Sequence, residues 1–117
     1  MGPGCCGPSC EALRGLIHWE IPLEEAIRAA GQCDEQPGPP VVFDASTARS
    51  VLERCIAGDL PVCDLPRWAG AVHTLERVEL ADRERDLLAQ FLFEIDTPEL
   101  FDPVTASLCR KWKARLA

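Results

Sequence analysis

Residues 44–58 read DASTARSVLERCIAG, and this stretch decides the fold. Its apolar residues Ala48, Val51, Leu52, Cys55 and Ile56 recur at i, i+3, i+4, i+7 and i+8, which gathers them into one stripe along a helix. Asp44 precedes the stripe, and its short carboxylate suits it to accept a hydrogen bond from a first-turn amide. Gly58 follows it, and glycine enters the left-handed conformation that ends many helices without the cost a Cβ imposes. The spacing therefore predicts a helix with a start, one buried face and a stop. Such a face needs partners, and the same period recurs on both sides of it.

Downstream, Asp64 is placed to cap a second helix bearing Leu65, Trp68, Ala69, Val72 and Leu75, with Pro66 tolerated because first-turn amides have no intrahelical partner. This helix is expected to end near Arg77. Asp82 should cap the next, whose stripe is Leu88, Phe91, Leu92 and Ile95, flanked by Leu87. Phe93 fits no stripe: it lies about 140° around the axis from Leu88, so it either meets a second layer or is exposed. Thr97-Pro98 and Asp102-Pro103 read as two cap-plus-proline starts, a single turn and then a closing helix with Val104, Leu108, Trp112 and Leu116.

Upstream, Phe43 stands where a hydrophobic staple would fix the entry into the Asp44 helix, or where simple core packing would hold it. Residues 32–43 contain Pro37, Gly38, Pro39 and Pro40 and read as a linker ending in Val41, Val42 and Phe43. A first helix is expected from Ser9 with Leu13, Leu16 and Ile17, stopping before Pro22. Pro22 restarts a short one with Leu23, Ala26, Ile27 and Ala30, and Gly31 supplies its stop. Residues 1–9 read as a flexible arm rich in Cys, Gly and Pro. No alternating strand and no internal repeat is evident. The expectation is an all-α, compact bundle of four to six short helices, one domain over 10–117.

The 117 residues are 47% hydrophobic, enough for one core that buries roughly two thirds of the unfolded surface, but not for a two-domain enzyme. Twelve basic side chains against 19 acidic ones give a net charge of -7, which opposes binding to phosphate backbones, so nucleic acid is not an expected partner. No run approaches the roughly 20 apolar residues of a membrane span, and MGPGCCGPSC at the start has neither Lys, Arg nor an apolar stretch. A cytoplasmic chain with reduced thiols is the expectation, and no membrane partner.

Seven cysteines raise the question of chemistry. Cys55 and Cys109 sit beside apolar helical residues and read as core. Cys5, Cys6 and Cys10 cannot be packing filler; a metal there would recruit His18 or Cys33, but the paired spacing of zinc folds is missing. Cys63 and Asp64 precede His73 by about one helix, without the motifs of thiol enzymes, and His73 reads as a histidine on a helix flank. The His18-Trp19-Glu20 triplet lacks the P-C-x-x-C partner of a zinc deaminase, and no glycine-rich phosphate cradle occurs. No cofactor and no enzymatic activity is expected. The carboxylates Asp59, Asp64, Glu76, Glu79, Asp82, Glu84 and Asp86 interleave with Arg67, Arg77, Arg83 and Arg85, ordinarily a solvated, salt-bridged surface. Such a surface also steers an acidic protein onto a basic one. Arg110, Lys111, Lys113 and Arg115 near the chain's end suit the negative pole of a helix.

From Val51 onward, a helix ended by Gly58, a capped turn, the Trp68-Ala69 pair opening the next helix, an acidic connection, a Leu/Phe-rich helix and a closing helix with Trp112 and Leu116 follow in order. Residues 51–117 so arranged resemble the small acidic helical bacterial immunity proteins of polymorphic toxin systems. The resemblance implies a non-enzymatic immunity or inhibitor protein that masks a protein partner, and carries over only the packing role of Trp68. The residues expected to meet a basic toxin or enzyme are Asp64, Glu76, Glu79, Asp82 and Asp86 for charge, with Phe93 as the apolar anchor. Two other classes stay open: a thiol or metal protein using Cys5, Cys6, Cys10 and His18, and an accessory subunit or homo-oligomer that buries Phe93 or Trp112 between chains.

Overall fold

Asp44 and Gly58 bound the helix that the periodicity predicts. In the computed structural model, which describes residues 7–35, 38–97 and 104–116, with backbone alone at 7–11, the Asp44 side chain accepts from the Thr47 amide at 2.9 Å. Gly58 closes the helix at φ 89°. The order is α1 (Gly7–Ile17), α2 (Leu23–Asp34), β1 (Val41–Phe43), α3 (Ala45–Ala57), α4 (Leu65–Thr74), β2 (Val78–Leu80), α5 (Arg85–Asp96) and α6 (Ala106–Leu116). Single 3-10 turns at Val62–Asp64 and Asp82–Glu84 lead into α4 and α5.

The helices pack as three pairs, α1 with α2, α3 with α6 and α4 with α5, in an all-α compact bundle. The radius of gyration is 14.0 Å, close to the roughly 13 Å of a compact domain of this length. A line of aromatic rings joins the pairs. Trp19 stacks on Trp68 at 6.2 Å, Phe43 and Phe91 meet Trp68 edge-on at 5.8 and 6.3 Å, and Phe91 meets Trp112 at 5.2 Å. The buried Trp68 indole donates to the Leu16 carbonyl at 2.8 Å, satisfying the polar end that such burial would otherwise strand.

Several boundaries differ from those the sequence suggests. α1 is already helical at Gly7, two residues before Ser9; the Ser9 side chain and residues 1–6 of the expected arm lie outside the described residues. α2 runs through Gly31 to Asp34. Glycine in a helix interior costs only about 1 kcal/mol relative to alanine, and here a tertiary contact outweighs it: the Asp34 carboxylate accepts from the amides of Glu76 at 3.1 Å and Arg77 at 2.8 Å. The expected linker at 32–43 therefore holds regular structure at both ends, with Pro37 outside the described residues.

The absence of strands does not hold either. β1 and β2 pair in parallel, Val41 with Val78, Val42 with Glu79 and Phe43 with Leu80. Three residues each are too few for alternation to show in a sequence. Phe43 is fully buried against Trp68, so it serves the core.

Asp64 and Asp82 are not side-chain caps. Asp64 has helical backbone angles and no capping hydrogen bond, because the preceding 3-10 turn has already begun the winding. Asp82 lies inside its own turn and bonds to Arg85 instead. α4 stops at Thr74 rather than near Arg77. Thr97 ends α5, its hydroxyl donating to the Phe93 carbonyl at 2.7 Å, and the single turn expected from Thr97-Pro98 lies outside the described residues. Thr105 replaces Asp102 as the cap of α6, accepting from the Leu108 amide at 3.3 Å; residues 98–103 lie outside the described set.

Arg77 is the largest departure from a solvated charge. It is only 8% exposed, and its guanidinium donates to the carbonyls of Cys33 at 3.0 Å and Pro39 at 2.9 and 3.3 Å. It ties the end of α2 and the following connection to β2. Gly38 lies against the guanidinium, which a Cβ at that position would have to displace.

Candidate partner-binding site

The residues expected to meet a partner do not all lie together. Asp64 lines a recess at the head of α4 with Glu24, Glu25, Arg28 and Arg67, where Arg67 reaches Glu24 at 3.7 Å. The others follow α4, whose ten residues set them roughly 15 Å further along the helix axis. Glu76 is exposed on the connection to β2, Glu79 is exposed on β2, and Asp82 and Asp86 are exposed around the start of α5. Asp64 thus separates from the other four, which all follow α4 in the chain.

α5 sorts its residues by angle. Leu88, Phe91, Leu92 and Ile95 are buried, as the stripe predicts. Phe93 is 43% exposed. Seven residues separate it from Asp86, which places the two about 20° apart around the helix and about 10 Å apart along it. Gln90, also exposed, falls between them and bonds Glu94 at 2.7 Å. A phenyl ring and a carboxylate so aligned form one exposed ridge.

Beside this ridge is a cleft of about 390 Å³, lined by Val72 and His73 from α4, Val78, Glu79 and Leu80 from β2, and Arg85 and Leu92 from α5. Val72 and Leu92 are buried and form an apolar floor; His73, Glu79 and Arg85 form a polar rim. Among the described residues, Glu76, Glu79 and Asp86 have no cationic side chain within 4 Å, whereas Asp82 pairs with Arg85. A shallow apolar floor with unpaired charge around it can hold an apolar side chain and orient a charged one.

The reactive side chains are scattered. Cys63 and His73 stand at opposite ends of α4, roughly 15 Å apart, so they make no nucleophile and base pair. His73 is exposed on the last turn of α4. Cys55 and Cys109 are buried at 3% and 0% between α3 and α6. The hydrogen bond between their thiols, then burial, pushes the Cys55 thiol far up, so it stays protonated and inert. Among the described residues no three His, Cys, Asp or Glu side chains converge to hold a metal ion. His18 is half-buried, and its backbone carbonyl accepts from Arg54 at 2.8 Å. Cys5 and Cys6, and the Cys10 side chain, lie outside the described residues. Among those residues no helix is long and apolar enough to cross a membrane.

Sequence reasoning missed the cleft itself. His73 and Arg85 come near Glu79 only because β2 folds between α4 and α5, and the one local signal, Val78-Glu79-Leu80, is a single alternation. The fold and this face define a small acidic helical bundle. No family model matches the chain, and the searches of curated proteins and of solved structures also return no match.

Proposed function

We propose that this chain is a non-enzymatic protein-binding module, an immunity or inhibitor protein of the bacterial cytoplasm, that masks a basic partner with its α4–β2–α5 face. The observation that carries the reading is Phe93: a large apolar side chain, 43% exposed, on the same line of α5 as Asp86, whose carboxylate has no cation within 4 Å among the described residues. An apolar anchor inside a charged rim is the arrangement that concentrates binding energy at protein interfaces. The rim would steer encounter, and the anchor would set the lifetime of the complex.

The test takes the product of the adjacent reading frame as partner and measures affinity and its salt dependence. Phe93→Ala should weaken binding by roughly 30-fold, through faster dissociation. Asp82→Arg with Asp86→Arg should slow association and flatten its dependence on salt. An affinity and salt response unmoved by all three substitutions would reject the reading.

A further inference from the structure

We infer that the outer edge of β2 is a docking site for an extended basic segment of the partner protein, which adds to the sheet as a third strand. The inference rests on the protein-binding reading and names the chemistry of its partner.

The ladder fixes which backbone groups are spare. At its ends Val41 N–H donates to the Arg77 carbonyl at 2.8 Å, and Ala81 N–H donates to the Phe43 carbonyl at 3.0 Å. In a parallel pair, alternate residues of a strand turn both their N–H and C=O to the same neighbour. Arg77, Glu79 and Ala81 therefore face β1, and the N–H and C=O groups of Val78 and Leu80 face away from it. Among the described residues none of those four groups has a hydrogen-bond partner. β2 has no proline, lysine or bulge along that edge.

The cleft lies along this same edge, since Val78, Glu79 and Leu80 form one of its walls. An incoming strand that pairs with Val78 and Leu80 would send alternate side chains down onto Val72 and Leu92, where apolar residues fit. Its intervening side chain would emerge on the outer face beside Glu79, whose carboxylate has no cation within 4 Å. Directly opposed residues of unlike charge stabilise a strand pair, and those of like charge destabilise it. A symmetric pairing with a second copy would set Glu79 against Glu79. The edge thus selects a different chain with the alternation apolar, basic, apolar.

The experiment titrates the full, isotope-labelled chain, followed by NMR, with three capped pentapeptides. These are Val-Lys-Val-Lys-Val, Val-Glu-Val-Glu-Val, and the lysine peptide methylated on every backbone nitrogen. The lysine peptide should shift the amide signals of Val78 and Leu80, slow their exchange with solvent, and bind about fivefold more tightly than the glutamate peptide. The methylated peptide should lose at least tenfold, because it cannot donate to the edge. Glu79→Lys, an exposed change, should reverse the preference between the first two. Signals of Val78 and Leu80 that stay still, or equal binding of the methylated peptide, overturn the proposal; so do concentration-dependent shifts at those amides without peptide, which mean self-pairing. Where Phe93→Ala abolishes partner binding but the lysine peptide leaves the edge untouched, this inference fails while the protein-binding reading stands. Where the peptide docks but the partner ignores Phe93 and Asp86, the edge stands and the reading of the ridge fails.

Discussion

Across the seam of α3 and α6, Arg49 donates to the Leu116 carbonyl at 2.8 Å and Lys113 meets Glu53 at 3.4 Å, and within α6 Arg115 lies 3.9 Å over the Trp112 ring. On the α4–β2–α5 side, Glu76, Glu79 and Asp86 meet no cation among the described residues, and Phe93 is 43% exposed. Both regions use the same helix pairing and share the aromatic line through Phe91. In the first, Arg49, Glu53, Lys113 and Arg115 serve the fold, closing a helix end, pairing across the seam and covering an indole, while Arg110 and Lys111 stay exposed. In the second, charge is left over. Net charge alone would have pointed to the whole surface; the difference between the regions points to one face.

Four substitutions break or sharpen that contrast. Trp68→Ala should have the largest effect, about 3–5 kcal/mol by chemical denaturation, because the indole fills the junction of the rings and its N–H holds the Leu16 carbonyl. Both regions should melt together; loss of α4 and α5 alone, with α3 and α6 intact by hydrogen exchange, would mean the regions are separate units. Arg77→Ala comes next, roughly 1–3 kcal/mol, since it strands the Cys33 and Pro39 carbonyls that the guanidinium serves. Most of the loosening should show as faster amide exchange across β1 and β2, at the base of the open face.

Asp44→Ala should cost about 1 kcal/mol for the lost cap of α3. The Thr47 amide holds the Asp44 carboxyl below its ordinary value of 3.8. A lowered folded value means this stabilisation is present above that ordinary value and lost as pH falls through the folded one. The gap in stability between the natural chain and Asp44→Ala should therefore narrow on acidification below about pH 4, by denaturation at stepped pH. Glu53→Ala should have the smallest effect, about 0.5 kcal/mol or less, because the pair with Lys113 is exposed. A larger loss would show that the seam depends on its surface charges more than on its core.

The elements with complete local signals were legible. α3 carries its cap, its stripe and its stop within 15 consecutive residues, and its bounds match the reading at both ends. The buried face of α5 and, but for Leu75, that of α4 follow from spacing in the same way, as do the core thiols Cys55 and Cys109; in the closing stripe, Trp112 and Leu116 are buried as expected, whereas Val104 and Leu108 are only half-buried. What was not legible depends on residues far apart in the chain. Gly31 reads as a stop until Asp34 is seen to bind amides 42 and 43 residues away. Arg77 reads as a solvated charge until the connection after α2 wraps it. Trp19 falls within the first expected helix, which stops before Pro22, yet it sits at φ 53°, in a conformation that costs an L-residue roughly 1–2 kcal/mol. The ring stack with Trp68 and the Arg54 bonds to the carbonyls of His18 and Trp19 hold it there. Of the candidate site, Glu79, Asp82, Asp86 and Phe93 were found by charge and by misfit, whereas the cleft needed the strand pairing to assemble it.

The near-parallel indoles of Trp19 and Trp68, 12° from coplanar orientation, give the protein an optical signature of its own. Rings stacked so closely couple electronically, and the ultraviolet circular dichroism of the pair should change when the junction between the end of α1 and α4 opens. Trp112 lies outside that stack, so Trp19→Phe should abolish the signal of the pair and Trp112→Phe should leave it in place.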